Sequence, residues 1–257
     1  MMGLRNGEDQ RVEVKSAADL ERMRRAGAVL RALREEIVEH VRPGVSTLQL
    51  DKVFARRVEQ ANAKAAFYGL YGFPGHLCAS INEEVVHGIP SAERVLQEGD
   101  IVSLDMGIVL EGFYSDTAVT APVGEVSEEK KRLLETTRRA LEAGIGQCIA
   151  GNRLGDVGSA IQACAEAAGF SVVREYTGHG IGRALHEAPK APNYGERGKG
   201  PRLRPGWVLA LEPMINAGTW QTETLDDHWT VVTRDRRPSA HFEHTVAITE
   251  NGAEVLT

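Results

Sequence analysis

The sequence predicts an α+β fold in which two related halves share one antiparallel sheet, with helices on its outer face and a cleft where strand ends meet. Two observations support this fold class. Residues 96–106 align with residues 203–213, and in this alignment Asp105 matches Glu212. The order of helix, turn, helix and strands also occurs twice along the chain. An apolar strand that twice ends in a carboxylate indicates a site as well as a fold, because burying an unpaired carboxylate costs several kcal/mol.

The first half begins with two predicted helices. Ser16 is a side-chain cap for a helix whose apolar residues recur every three or four positions until Pro43 and Gly44 end it. A second helix is expected from Thr47 to about Ala63. The apolar segments that follow predict strands over residues 77–82, 101–108 and 113–118.

The second half repeats this order. Ser127 caps a helix that ends before Gly151, and a further helix is predicted from Asp156 to about Ala168. Strands are expected over residues 207–211, 230–232 and 241–249, and residues 195–204 read as a loop. We therefore predict one domain over residues 1–257, with a short extension over residues 1–15 and related halves over about 16–125 and 127–250.

The composition restricts the class of protein and its partners. With 257 residues, 42% of them hydrophobic and 26% charged, the chain is neither wholly disordered nor fibrous. The formal net charge of -6 argues against nucleic acid or an anionic membrane as the main partner. Three cysteines without C-x-x-C spacing and the lack of an apolar leader in residues 1–15 indicate a cytoplasmic protein.

Two aspartates lie on either side of a predicted hairpin. If Leu110 and Glu111 form its centre, Asp105 and Asp116 face each other directly, with Cβ atoms about 4.5 to 5.5 Å apart. Like charges at that distance repel, so this pairing requires a cation. The alternatives are two acids on a solvent-exposed face or a hairpin with a different register.

Three further residues carry candidate metal ligands. His179 lies in the glycine-rich segment 178–182, although a lone histidine is more often a packed or surface residue than a ligand. Glu212 follows an apolar strand and Glu243 lies inside one, and each alone is compatible with a capped or surface acid. Together, four carboxylates and one imidazole suit two divalent ions about 3.5 to 4 Å apart. The complete set is Asp105, Asp116, His179, Glu212 and Glu243.

In this order and context the five residues resemble the metal ligands of type I methionine aminopeptidases, and the similarity extends from about residue 15 to residue 256. The resemblance implies the pita-bread fold, in which a pseudo-twofold antiparallel sheet with helices on its outer face encloses a central metal cleft within a single catalytic domain. The matching stretches are Asn82–Pro90, Leu104–Gly107, Tyr114–Ala118, Gly178–Gly182, Leu211–Pro213 and Phe242–Thr245.

The resemblance also implies how the ligands share two divalent ions, which would be Fe2+, Mn2+, Co2+ or Zn2+. Asp105 would chelate one ion, Asp116 and Glu243 would bridge both, and His179 with Glu212 would complete the second site. A bridging water would be the nucleophile, and Glu212 would move its proton.

The remaining implied residues surround the metal site. His87 and His186 would bind the scissile amide and stabilise the developing oxyanion, although His87 could instead fix the turn that follows it. Asn82 and Ser239 resemble parts of a monovalent-cation site. The residues at methionine-pocket positions, which are equally compatible with a core, are Phe67, Leu70, Phe73, Cys78, Leu185 and Trp229. In familiar bacterial members positions 70, 73 and 185 are tyrosine, tyrosine and phenylalanine, and position 241 is usually glutamine rather than histidine.

The activity implied is removal of the initiator methionine from nascent polypeptides whose second residue is small. A monomer is expected, with no nucleic acid or membrane partner and at most transient contact with the ribosome. One alternative is an X-Pro aminopeptidase or dipeptidase of the same fold, which the 104 residues before Asp105 disfavour because those enzymes usually carry a further N-terminal domain. Another is a non-catalytic pita-bread binding protein, which the complete ligand set disfavours.

Overall fold

The computed structural model of this chain describes residues 12–257, so most of the predicted N-terminal extension lies outside the described residues. Four α-helices and a large antiparallel sheet dominate this part of the chain. The helices are α1 (Ala17–Glu39), α2 (Thr47–Gln60), α3 (Glu128–Ile145) and α4 (Leu154–Ala167). The strands are β1 (Lys64–Ala65), β2 (Leu77–Ile81), β3 (Glu84–Val86), β4 (Ile101–Leu110), β5 (Phe113–Pro122), β6 (Ser171–Val172), β7 (Gly178–Gly180), β8 (Glu187–Ala191), β9 (Val208–Leu211), β10 (Met214–Asn216), β11 (Thr222–Thr224), β12 (Val231–Thr233), β13 (Ser239–His241), β14 (Glu243–Thr249) and β15 (Gly252–Val255).

The predicted helix starts are confirmed at three of the four helices. Ser16 and Asp19 form a capping box at α1, in which Ser16 Oγ accepts from the Asp19 N–H at 3.2 Å. Ser127 Oγ caps α3 by accepting from the Lys130 N–H at 3.3 Å, and α2 begins at Thr47 as predicted. Helix α4 starts two residues before the predicted Asp156, because that carboxylate accepts from the Arg153 N–H at the cap and therefore occupies the first turn.

The strands form one nine-stranded sheet and two small three-stranded sheets, and every strand pair in the described chain is antiparallel. The main order in the large sheet is β1-β4-β5-β14-β9-β7-β8, with β2 also paired to β4 and β15 to β14. The predicted strand over residues 241–249 is two strands, since the chain leaves one sheet at Phe242 and enters another. The short strands β1, β3, β6, β7, β8, β10, β11 and β15 were not predicted.

Each helix pair packs its apolar side on the sheet, which confirms the predicted outer position of the helices. Leu30 of α1 and Phe54 of α2 are fully buried against residues of β2 and β4. Leu141 of α3 and Ile161 of α4 are buried against residues of β9 and β14. No helix in residues 12–257 is long and apolar enough to cross a membrane.

The predicted register of the first hairpin is wrong by one residue in its centre. Asp105 is paired with Ala118, and Asp116 is paired with Gly107. The turn consists of Glu111 and Gly112, both with positive φ (50° and 81°). Gly112 adopts this conformation freely because it is a glycine. The two aspartates are therefore diagonal neighbours on one face of the sheet, close enough for their side chains to meet.

Equivalent turns precede the strands of the two aligned segments. Gly99 before β4 has a φ of +88° and Gly206 before β9 has a φ of +85°. Both glycines turn the chain sharply into a central strand that delivers a carboxylate to the same region.

Residues 195–204 contain neither helix nor strand, as predicted, and form only one isolated bridge, between Arg153 and Arg202. The division into halves over 16–125 and 127–250 stays a prediction.

Candidate metal centre

Five consecutive strands of the large sheet each supply one of the predicted metal ligands. In the order of the sheet, β4 carries Asp105, β5 carries Asp116, β14 begins with Glu243, β9 is followed directly by Glu212, and β7 carries His179. Residues scattered over 139 positions of sequence therefore meet on one sheet. The sheet, rather than any loop, fixes the relative positions of these side chains, and such support gives a precise site.

The innermost ligands lie within coordination distance of one another. One ligand atom from each of Asp116, His179 and Glu243 lies within 4.8 Å of the other two. Asp105 lines the same cleft as these three residues, and Glu212 Oε1 lies 3.5 Å from His179 Nε2. The structure thus brings all five predicted ligands together.

Burial and mutual repulsion make this group of carboxyls costly to ionise. Burial raises the pKa of Asp105 to about 7. Burial, and then the charge of the neighbouring carboxyls, raises the pKa of Asp116, Glu212 and Glu243 well above the usual range. Four such acids in one cleft can all be ionised only when cations compensate their charge.

Two oxygen atoms in this cluster have no protein partner. Asp105 Oδ1 and Glu243 Oε1 are buried and accept no hydrogen bond from any described residue. Buried polar atoms are normally paired, so an unpaired carboxylate oxygen facing other carboxylates calls for a ligand. Hard oxygen donors and one imidazole suit divalent ions of the first transition row. The residues present therefore fit a divalent metal centre.

The orientation of His179 also suits a metal ligand. His179 Nδ1 lies 2.9 Å from the Gly180 carbonyl oxygen, which can only accept, so this nitrogen carries the hydrogen. The free electron pair is then on Nε2, which points towards Glu212. Burial and the nearby His186 lower the pKa of His179 to about 4, so the ring is neutral at physiological pH, as metal ligation requires.

An apolar cavity of about 290 Å³ opens beside the ligands. The six predicted pocket residues belong to a single apolar cluster and line this cavity. Phe73 and Trp229 make an edge-to-face contact with ring centroids 5.1 Å apart. The complete lining is Phe67, Leu70, Tyr71, Phe73, Cys78, His87, Asp105, Asp116, His179, Leu185, His186, Glu212, Trp229 and Glu243.

The two predicted catalytic histidines both line this cavity. His87 has a φ of +60° and makes edge contacts with the rings of Tyr176 and Trp229. Burial lowers the pKa of His87 to about 4. The ring centroid of His186 lies 4.5 Å from that of His179 at an interplanar angle of 84°. Both imidazoles are therefore adjacent to the ligand cluster.

Two residues at the cleft were not assigned a role from the sequence. Tyr71 lines the cavity and is 82% exposed at its mouth. His241 is buried, with Nε2 4.0 Å from Glu212 Oε2, and neither ring nitrogen bonds to another described residue. His241 ends β13, whereas Glu243, two positions later, begins β14 of another sheet, so no local sequence pattern indicated that His241 would lie beside Glu212.

The residues predicted for a monovalent cation are adjacent, but an ammonium group already lies beside one of them. The Ser239 N–H donates to the Asn82 carbonyl oxygen at 2.8 Å. Lys130 Nζ donates to Asn82 Oδ1 at 2.7 Å and to the Gly99 carbonyl oxygen at 2.6 Å. A monovalent-cation site here stays a prediction.

The fold and the ligand cluster together define a metallopeptidase. The sequence model of metallopeptidase family M24 matches residues 21–250. The chain therefore belongs to family M24, and within that family its similarity is to the methionine aminopeptidases.

Two relatives illustrate this similarity. The chain is 49% identical to methionine aminopeptidase 1 of Bacillus subtilis, over 95% of this chain and 98% of the relative. A methionine aminopeptidase structure from Thermotoga maritima superposes with a TM-score of 0.94 at 45% identity, covering 96% of this chain and 99% of that one. The pita-bread fold predicted by resemblance is confirmed.

A more distant neighbour shares the fold alone. The Xaa-Pro dipeptidase of Bacillus anthracis superposes with a TM-score of 0.76 at 23% identity, covering 95% of this chain but 61% of that one. The alternative of an X-Pro peptidase therefore has weaker support than the predicted resemblance.

Proposed function

We propose that this chain is a methionine aminopeptidase that releases the N-terminal methionine from nascent proteins and peptides whose second residue is small. The observation that carries the proposal is the delivery of five metal-ligand side chains by neighbouring strands to the edge of an apolar cavity. Similarity to methionine aminopeptidases over nearly the full chain supports the same activity. The proposed working unit is a single catalytic domain that acts as a monomer.

Two divalent ions, Fe2+, Mn2+, Co2+ or Zn2+, are the proposed cofactors. Asp116 and Glu243 would hold both ions, Asp105 would hold the first, and His179 with Glu212 would hold the second. The chemistry that such ions supply when bound is polarisation of the scissile carbonyl and a lower pKa for the attacking water.

The proton transfer is assigned to Glu212. Its carboxyl lies at the end of β9, in contact with His179, and its environment raises its affinity for a proton. In the proposed reaction Glu212 accepts the proton of the attacking water and then gives it to the departing amine nitrogen. One group thus acts as base and then as acid.

His87 and His186 are assigned to the substrate amide. Because its pKa is near 4, His87 is neutral at physiological pH and has one N–H to donate. The same holds for His186, whose pKa burial lowers below the usual value. Donors placed beside the reacting carbonyl stabilise its oxygen as negative charge develops.

The apolar cavity is assigned to the methionine side chain. Phe73 and Trp229 offer aromatic edges, against which a thioether sulfur packs favourably. Leu70 and Leu185 occupy positions where bacterial members usually have aromatic rings, so this cavity presents aliphatic surface in their place.

Turnover of defined tripeptides tests the proposal. Metal-stripped protein resupplied with Mn2+ or Co2+ should release methionine from Met-Ala-Ser and leave Ala-Pro-Ala intact. Glu212→Gln should abolish release, because an amide cannot move the proton. Glu250→Gln, which changes an exposed carboxylate just after β14, is the matched control and should retain full activity. Cleavage of Ala-Pro-Ala would instead identify an X-Pro peptidase, and no cleavage of either peptide would indicate a binding protein.

A further inference from the structure

A buried ion pair connects the segment before α1 to the loop that carries His186. Lys15 Nζ lies 2.6 Å from Glu187 Oε2, and the Lys15 side chain is completely inaccessible to solvent. The second carboxylate in reach, that of Glu13, is 3.5 Å away and half exposed. A lysine buried to this degree is rare without a specific partner, and Glu187 is that partner here.

The Glu187 carboxylate also closes the loop between β7 and β8 on itself. Its Oε1 atom accepts from the backbone N–H groups of Arg183 at 2.7 Å and Ala184 at 3.1 Å. The Gly182 carbonyl accepts from the Tyr114 N–H at 2.7 Å, which fixes the start of the same loop to β5. Residues 182–187 are therefore held by one carboxylate whose charge is balanced by Lys15.

His186 depends on this loop for its position. Its ring makes no hydrogen bond to another described residue, and its described contact with the cluster is the edge contact with His179. A side chain without polar partners of its own is located by the backbone that carries it. Glu187 is the next residue in the chain, and its carboxylate bonds to the backbone on the other side of His186, so these bonds restrain the segment that carries His186.

Lys15 reaches Glu187 only because position 182 is a glycine. A Cβ atom at Gly182 would lie 2.2 Å from Lys15 Cε and 2.6 Å from Lys15 Nζ. The Lys15 backbone is fixed independently, since its N–H donates to the Gly206 carbonyl at 2.8 Å in the turn before β9. The lysine thus links that turn to the His186 loop.

We infer that Lys15 and Glu187 are positioning residues that hold His186 over the cleft. The inference rests on the proposed function for its catalytic meaning, because His186 is assigned there to the substrate amide. Its structural part is the dependence of the His186 position on the Lys15 side chain, 171 residues earlier. This dependence can be measured without an activity assay.

Histidine NMR tests the structural content directly. The chain has eight histidines, so a 1H–13C correlation spectrum of the ring Cε1 positions shows eight signals, and His186→Ala identifies one of them. Lys15→Met should shift or broaden the His186 signal and leave that of His40, the residue just after α1, unchanged. Gly182→Ala, which keeps both charges but displaces the lysine, should have the same effect.

Arg183→Gln is the matched control. Arg183 lies on the same loop and its side chain pairs with Asp19 at 3.0 Å, but both side chains of this pair are more exposed and neither bonds to the Glu187 carboxylate. This variant should leave the His186 signal in place. An unchanged His186 signal in Lys15→Met, or an equal change in Arg183→Gln, would overturn the inference.

A double-mutant cycle tests the catalytic meaning. Glu187→Gln should lower kcat/KM for Met-Ala-Ser by about 10- to 100-fold, as expected for a misplaced catalytic group. In a His186→Ala background the same change should have no further effect. Independent, additive losses would show that the pair serves stability alone and would contradict the inference.

The two proposals fail in different ways. If wild-type protein releases no methionine with any of the metals while the His186 signal still moves in Lys15→Met, the proposed function is wrong and the positioning role stands. If methionine is released equally by all variants and the signal does not move, the positioning role is wrong and the proposed function stands.

Discussion

The acidic and histidine side chains of the cleft are buried, and burial disfavours their charged forms. Burial raises the pKa of Asp105 to about 7 and lowers that of His179 and His87 to about 4. Both shifts favour the neutral form, as desolvation requires. Divalent ions reverse this preference for the carboxyls, while neutral imidazoles remain suited to donate to a peptide or bind a metal.

The cavity wall should decide which N-terminal side chains are accepted. Phe73 is buried at the cavity and supports Trp229, so Phe73→Leu opens space for a larger residue. We expect the ratio of kcat/KM for Phe-Ala-Ser to that for Met-Ala-Ser to rise by about tenfold, since methylene-sized changes in a pocket are worth ~1–3 kcal/mol.

Phe54→Leu provides the control for this measurement. Phe54 is a fully buried residue of α2, in the apolar cluster between this helix and the outer side of the sheet. Its truncation removes a similar volume from a core and should lower stability without changing the substrate ratio. A Phe73→Leu ratio equal to that of wild type would show that this cavity does not hold the N-terminal side chain.

The identity of the ligands could be predicted from the sequence, whereas their surroundings could not. Asp105 and Glu212 were recognisable because they occupy matching positions in two aligned apolar segments, where a carboxylate has no folding role, although β4 continues past Asp105 to Leu110. The contact of His241 with Glu212 depends on β13, a strand of another sheet, and no local pattern encodes that approach. The link from Lys15 to Glu187 spans 172 positions and was equally invisible.

At the scale of elements, turns set the register that brings the acids together. The hairpin between β4 and β5 was predicted one position early, because the apolar pattern fixes the face of a strand but leaves the turn residues open. Gly112 selects the turn, since it adopts positive φ without strain. Asp105 and Asp116 were correctly predicted to lie on the same face of the sheet, so the error in register did not change the predicted site.

The two turns that precede β4 and β9 offer a matched test of backbone strain. Gly99 and Gly206 have nearly equal positive φ, so alanine at either position should lower the free energy of unfolding by about 1–2 kcal/mol. At Gly99 the nearest atom to an added Cβ is 3.7 Å away, whereas at Gly206 the Val14 side chain and the Lys15 carbonyl lie at 2.7 and 2.9 Å. Gly206→Ala should therefore lose about 1–3 kcal/mol more.

Urea unfolding of both variants measures this difference. Gly146→Ala is the control, because Gly146 has an ordinary helical φ of -61° and an added Cβ meets nothing closer than 3.5 Å, so little change is expected. Equal losses at Gly99 and Gly206 would contradict the packing of the segment before α1 against the turn at Gly206.

At the scale of the whole molecule, the central strands of the sheet carry the clustered carboxyl groups, while the helix pairs pack their apolar side chains against the sheet. The fold class, the helix pairs and the central strands follow from periodicity and caps. The small sheets β13-β10-β6 and β11-β12-β3 do not follow as a whole. Their strand β12 was predicted over residues 230–232, but most of the other strands have only two or three residues, carry too little pattern and are stabilised by their neighbours. The stability of the fold therefore depends on the charge of the metal ligands, since the strands that form the core also carry these ligands.

This coupling predicts the pH dependence of the metal-free protein. The pKa of Asp105 rises from 3.8 in the unfolded chain to about 7 in the folded one, and those of Asp116, Glu212 and Glu243 also rise well above their usual range. The folded chain then holds protons that the unfolded chain has lost, so these groups destabilise the fold increasingly as pH rises. The buried histidines act oppositely, but only below their unfolded pKa of 6.5, where the unfolded chain takes up protons.

Above about pH 6.5 the carboxyls therefore dominate, and the Tm of protein kept in chelator should fall by about 5 °C or more towards about pH 8.5. Calorimetry in chelator and in Mn2+ measures this: bound divalent ions compensate the charges, so stabilisation by Mn2+ should be larger at the higher pH. Asp105→Asn should reduce the fall, whereas Glu250→Gln, an exposed carboxylate, should leave it unchanged. A Tm in chelator that is constant or rises over this range would show that the clustered carboxyls do not share a destabilising charge, and the case for a metal centre between these strands would fail with it.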